Sequence, residues 1–206
     1  MNRLFILGLG LMLSSIAFQA KAQVPANDQT GFGIRAGVNL MNMHSVTFGL
    51  QDYNTNAEVG FQVGVYGDLA IARNVTFLPE IYYIQKNAKF QETASSKVNM
   101  KFSYLEVPVL IGYKPVPDLT LFVGPEVSFL LSQKTTLSTN GVQVSDDTSL
   151  KNYRKFIAGG AAGLGYSITP NINVNARYSI DFQKALTEGA LNFKNKGFLL
   201  SLGYTF

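Results

Sequence analysis

The ten residues Gly197-Phe-Leu-Leu-Ser-Leu-Gly-Tyr-Thr-Phe206 alternate with period two. Phe198, Leu200, Leu202, Tyr204 and Phe206 fall on one side, and Gly197, Leu199, Ser201, Gly203 and Thr205 on the other. Successive side chains of a β-strand point to opposite faces, so the stretch reads as a strand with one large apolar face and one mostly small or polar face. The pattern recurs in seven further segments: 31–40, 59–70, 75–85, 102–113, 119–131, 156–168 and 172–182. The connections between the eight segments also alternate. Those at 71–74, 114–118 and 169–171 are short, whereas 41–58, 86–101, 132–155 and 183–196 are long and polar.

The polarity of the two faces decides what surrounds them. As registered by alternation, the large apolar face carries no Lys, Arg, Asp or Glu in any of the eight segments. The opposite face collects Arg35, Asp68, Glu80, Glu106, Glu126, Arg177 and Asp181 among many glycines. A soluble ligand-binding barrel of the lipocalin kind would turn its apolar face inward and carry charges outside. Charge excluded from one whole face is what lipid selects, because a charge at mid-bilayer depth costs a few kcal/mol. The expected fold is therefore all-β: an eight-stranded antiparallel up-and-down transmembrane β-barrel, residues 31–206, resident in the outer membrane. Its short turns are expected to face the periplasm and its long loops the cell surface.

Residues 1–22 read as a signal peptide: Arg3 is basic, Leu4 to Phe18 is apolar, and Ala20-Lys21-Ala22 is an A-x-A cleavage site. Cleavage leaves Gln23 first, with 23–30 as a short N-terminal segment. Removal of Arg3 and Lys21 from 17 basic residues leaves 15 against 13 acidic, close to neutral. No basic run points to nucleic acid. The absence of cysteine excludes a lipoprotein anchor, disulfides and Cys-ligated metal.

Pro79, Pro108 and Pro125 lie inside strands, where a missing N–H leaves a ladder carbonyl unpaired. Bulges, or side chains or water near Glu80, Glu106 and Glu126, are expected to compensate. The sequence around them, Leu78-Pro-Glu-Ile-Tyr-Tyr-Ile-Gln-Lys86, Tyr104-Leu-Glu-Val-Pro-Val-Leu-Ile-Gly-Tyr-Lys-Pro115 and Phe122-Val-Gly-Pro-Glu-Val-Ser-Phe-Leu-Leu-Ser132, resembles the PorT-like outer-membrane β-barrel family of Bacteroidetes. The resemblance runs from about Gly31 to Phe206 and implies OmpX-like or OmpA-like architecture. It also implies that Leu200, Leu202, Tyr204 and Phe206 form the terminal signal read by the barrel-assembly machinery. Most members of that family have no assigned role, and PorT itself is associated with type IX secretion and gliding.

Chemistry is sparse. The one histidine, His44, adjoins Ser45, and some eight-stranded barrels modify lipid A with His and Ser. Adjacent residues on an extended loop point apart, and nothing places Asp52 or Glu58 against His44 to orient a base. No catalytic residues, metal ligands or cofactor are expected. The constellation of interest is the inward set Arg35, Glu80, Glu106, Glu126, Arg177 and Asp181, expected to form a paired polar network filling a narrow lumen. Glu80, Glu106 and Glu126 against Arg35 and Arg177 leave one excess negative charge, to be met by a proton, a cation, a tyrosine hydroxyl or water.

The expected function is structural or surface-interacting, with a plugged lumen and long extracellular loops. The alternatives are a transport component, as a narrow pore or a secretion-apparatus subunit of the PorT type, and, behind it, a lipid-modifying enzyme. Outer-membrane lipids, the assembly machinery and secretion or surface proteins are the expected partners of a monomer.

Overall fold

The computed structural model describes residues 30–44, 46–48, 51–53, 56–93, 96–139, 142–148, 153–183 and 194–206. The signal-peptide reading of 1–22 and most of the segment 23–30 lie outside the described residues. The described strands are β1 (Gly31–His44), β2 (Val46–Phe48), β3 (Gln51–Tyr53), β4 (Asn56–Ala72), β5 (Val75–Thr93), β6 (Ser96–Val116), β7 (Leu119–Thr139), β8 (Val142–Asp147), β9 (Phe156–Ser167), β10 (Ile172–Asp181) and β11 (Lys194–Thr205).

Eight of these run antiparallel around a closed circuit, β1-β4-β5-β6-β7-β9-β10-β11, and β11 returns to β1. The closing ladder runs from Gly33 opposite Thr205 to His44 opposite Lys194, so no barrel edge is left to template aggregation. At one rim the connections are tight. Arg73-Asn74 links β4 to β5, and Asn74 takes φ 63°, a left-handed conformation that Asn tolerates better than most residues.

The alternation works as expected because the barrel has two different surroundings. On the outside, Phe32, Ile34, Val38, Val63, Val123 and Phe198 are among the many large apolar side chains left exposed. An exposed apolar belt of this extent fits lipid, not water. Aromatic rings cluster towards its two margins. Tyr204 and Phe206 pack edge to face near the short-turn rim, and Tyr178 and Phe198 meet at 5.0 Å towards the other.

Two expectations are corrected. Segments 41–58, 86–101 and 132–155, read as loops, are largely strand: β1 runs on to His44, β2 and β3 pair with each other and β4 begins at Asn56, β5 and β6 continue as a ladder to Thr93 opposite Ser96, and β7 to Thr139, where β8 pairs with it. The apolar alternation stops at the membrane margin while the backbone pairing does not. The prolines, in turn, produce no register shift. Pro79 faces Val109 and Tyr82 faces Glu106, while Pro108 faces Glu126 and Ile111 faces Val123. Each ladder skips two pairs and resumes in the same register. Shifts occur elsewhere, between Ser103 and Tyr104 and between Ala57 and Gln62.

Candidate functional site in the barrel lumen

Inward positions carry the chemistry, and strand parity puts them there. Glu80, Tyr82, Ile84 and Lys86 are alternate residues of β5, all buried. Arg35 of β1 and Arg177 of β10 approach Glu80 from two other walls. Arg35 Nη1 donates to Glu80 Oε1 at 2.6 Å and to the Tyr82 hydroxyl at 3.0 Å. Arg177 Nη2 donates to the other carboxylate oxygen, Glu80 Oε2. One carboxylate thus serves two guanidiniums, each with its own aromatic support. Arg35 lies 4.0 Å from the centre of the Tyr66 ring, and Arg177 5.5 Å from that of Phe122.

Deeper towards the long-loop rim is a second node that the sequence reading missed. Lys86, 1% exposed, places Nζ 2.9 Å from Glu106 Oε2 and 3.8 Å from Asp181 Oδ1. Ser128 donates to Glu106 and Asn195 to Asp181. The apolar alternation ends at Gln85, so by sequence Lys86 reads as the first residue of a loop. Its even number, shared with Glu80, Tyr82 and Ile84, was the signal that could have found it.

Glu126 stands apart from both nodes. Ser179 donates to its Oε2 at 3.2 Å, and among the described residues no cation lies within ion-pair distance. Among the described residues the buried lumen therefore holds Arg35, Lys86 and Arg177 against Glu80, Glu106, Glu126 and Asp181, still one negative charge in excess with all of them ionised. Of the sequence-derived set, Arg35, Arg177 and Glu80 form one contact group. Glu106 and Asp181 meet through Lys86, and Glu126 joins neither by an ion pair.

Apolar layers flank the charges. Leu78, Leu110, Phe122 and Ala161 form one cluster. A larger one, including Met41, Ile84, Phe102, Tyr104, Ile157 and Leu199, closes the lumen near the long-loop rim, with Tyr153 packed against it. The short-turn end is open. A cavity of about 970 Å³ runs inward from the turns to Arg35 and Glu80.

His44 ends β1 opposite Lys194, Asp52 in β3 faces Thr47, and Glu58 in β4 faces Met41, while Ser45 lies outside the described residues. Among the described residues no group of three or more His, Cys, Asp or Glu is placed to hold a metal ion. Leu200, Leu202 and Tyr204 line the outer face of β11 and Phe206 follows its last residue, all exposed.

Comparison with known proteins agrees with this architecture. Among curated proteins none matches the chain. Among solved structures, Ail, the attachment invasion locus protein of Yersinia pestis, superposes with a TM-score of 0.52 at 16% identity, over 86% of this chain and 99% of Ail. Neisserial surface protein A gives the same values. At that identity the likeness concerns the fold. The family profile described as outer membrane protein beta-barrel domain matches residues 21–186. The chain thus belongs to the outer membrane protein beta-barrel domain family and is a protein of the outer membrane.

Proposed function

We propose that this protein is a non-conducting barrel that anchors surface-presented strands and loops for interaction outside the cell, with its short-turn rim in the periplasm. The observation that carries the reading is the occlusion of the lumen. Two charged nodes and an apolar cluster drawn from β1, β5, β6, β7, β9 and β11 are stacked across it, and Lys86, Phe102 and Tyr104 are at most 1% exposed. An eight-stranded barrel is just wide enough to be filled by its own side chains. The continuation of β5, β6 and β7 beyond the apolar belt favours a presenting role, since paired strands hold a surface more rigidly than loops.

Planar-bilayer recording of the purified barrel tests the plug. Absence of steady current steps is expected, whereas ohmic conductance at physiological salt would overturn it. The PorT-like resemblance favours a second reading, a subunit of a secretion apparatus. Affinity capture from envelope extracts, followed by identification of co-purifying membrane components, separates a lone barrel from such a subunit. Recognition by the barrel-assembly machinery through Leu200, Leu202, Tyr204 and Phe206 rests on the same resemblance. No catalytic role is proposed.

A further inference from the structure

On the outer wall of the barrel, just past its apolar belt on the long-loop side, two lysines are set against each other. Lys101 of β6 and Lys134 of β7 are directly opposed in the ladder, and both are exposed. We propose that this pair seats an anionic phosphate group of an outer-leaflet lipid.

The first argument is the cost of the pair itself. Residues directly opposite on neighbouring strands have Cβ atoms about 4.5–5.5 Å apart, and like charges so placed destabilise a sheet. The two lysines line an outward groove of about 480 Å³, with Asn87, Asn99, Thr136 and Glu58 among its other walls. Glu58 is the one carboxylate in that lining, so whichever lysine it serves, one positive charge is left over. The flanking strands bring one charge of each sign into register with the groove: Lys89 stands opposite Asn99, and Asp146 opposite Thr136. A phosphate has enough acceptor oxygens to bridge both ammonium groups and turn the repulsion into two charge-assisted hydrogen bonds.

The second argument is height. Towards this rim the exposed large apolar side chains end at Tyr83, Leu105 and Leu131 on β5, β6 and β7. The Tyr83 hydroxyl donates to Ser103 Oγ at 2.9 Å, which marks the change from apolar to polar surroundings. Lys101 comes four residues after that last apolar row, about 13 Å along the strand and about 10 Å along the membrane normal once strand tilt is included. Lysine stems are long enough to lie back along the wall and bring the ammonium to the headgroup layer.

The third is an asymmetry between the two margins. Within four residues of the last exposed apolar residue on each strand, the described basic residues outside the lumen on the long-loop side are Lys101, Lys134, Arg154, Lys155, Lys194 and Lys196, against Glu58. At the short-turn margin Arg73 and Lys114 are balanced by Asp68 and Asp118. A basic margin on one side only matches a leaflet of anionic headgroups, where each Lys or Arg near the surface strengthens attachment about fivefold.

The test is native mass spectrometry of the purified full barrel, released from detergent carrying phosphatidic acid or phosphatidylcholine. The first lipid offers a phosphate monoester; the second has no net charge. Phosphatidic acid should bind at least about tenfold more tightly, and Lys101→Gln combined with Lys134→Gln should remove about that factor. Arg73→Gln, at the opposite margin, should leave the preference intact. Lys101→Glu separates binding from folding. It sets opposite charges across the two strands, so its urea midpoint in phosphatidylcholine vesicles should equal or exceed the parent's while the preference falls. Folding of each variant is judged by the gel shift between boiled and unboiled samples. Equal affinity for the two lipids, or an unchanged preference in the folded Lys101 and Lys134 variants, would overturn the proposal. Inorganic phosphate bound as tightly as phosphatidic acid would overturn it too, since the acyl chains and the belt would then contribute nothing. So would a heparin-type sulfated oligosaccharide bound in preference to the lipid, which would make the patch a seat for a soluble polyanion. The assignment to the outer leaflet rests on the orientation given above, whereas binding in detergent does not, so the two fail separately.

Discussion

Glu80 should be the most sensitive single charge in the barrel, more so than either arginine that contacts it. The reason is connectivity. Glu80, Arg35 and Arg177 are 3%, 5% and 4% exposed, and Glu80 is shared by both guanidiniums. In Glu80→Leu two buried guanidiniums lose their counter-ion together. Removing one partner of a buried pair costs about 3–5 kcal/mol, and here the loss sits at or above the top of that range. In Arg35→Met the carboxylate keeps Arg177, so the loss is that of hydrogen bonds to a charged group, about 1.5–3 kcal/mol. The difference is measurable by urea unfolding in phospholipid vesicles, followed by far-UV circular dichroism because the chain has no tryptophan. The shared geometry also predicts the pattern of rescue. Adding Arg35→Met to Glu80→Leu should recover only part of the loss, because Arg177 remains orphaned. Adding Arg177→Met as well should recover most of it, since well-packed apolar replacements of a buried ionic group are often tolerated. If Glu80→Leu is no more destabilising than Arg35→Met, or the triple variant no better than Glu80→Leu alone, the three-way node does not hold the barrel together.

Lys86→Met strands Glu106 and Asp181 together and should destabilise by about 3–5 kcal/mol, with Glu106→Gln added in cis recovering part, read in the same unfolding assay. Gly64→Val should block or slow folding, because a Cβ there runs into the Ile81 carbonyl oxygen and the Tyr82 ring; failure to acquire the heat-sensitive gel shift checks it. Single cysteines at Asn54, Ser95, Asn140 and Glu188 should react with an impermeant thiol reagent on intact cells, and cysteines at Asn74, Pro117 and Asn171 should not; the reverse pattern would invert the orientation.

What was legible in the sequence follows from where the chain has two unlike surroundings. Between the rims, lipid outside and packed side chains inside impose opposite demands on neighbouring residues, so Phe61, Val63 and Val65 against Gly60, Gln62 and Gly64 announce both strand and face. Beyond the belt, at Lys97, Asn99 and Lys101 or at Gln133 and Thr135, both faces tolerate polar residues. There the backbone ladder continues with no hydrophobic signature, which is why those strands read as loops. The inward charges were legible as residues but not as partners. Arg35, Glu80 and Arg177 lie on β1, β5 and β10, no two of which are neighbours in the circuit, and their meeting depends on side-chain reach across the lumen. Lys86 fell between the two problems, inward by parity but just past the last apolar signal.

The same charges do a second job, which explains why a plug would be built from ions at all. A one-residue slip of a strand turns its whole inward set outward. In β1 that would put Arg35 and Asn39 into lipid and bring Phe32, Ile34 and Val38 into a lumen already filled; in β5 it would expose Glu80 and Lys86. Each misplaced Arg or Lys near mid-bilayer costs about 2–4 kcal/mol, and acidic groups somewhat less. The penalty falls on every wrong register, whereas apolar inward residues such as Leu78 or Ile84 would be tolerated on either face. Replacing the Glu80 node with apolar side chains should therefore leave the native barrel close to its original stability but lower the yield of correctly closed barrel. The fraction of the triple variant showing the native gel shift after refolding into vesicles measures that yield. A yield equal to that of the parent, at equal stability, would leave register to the outward face alone.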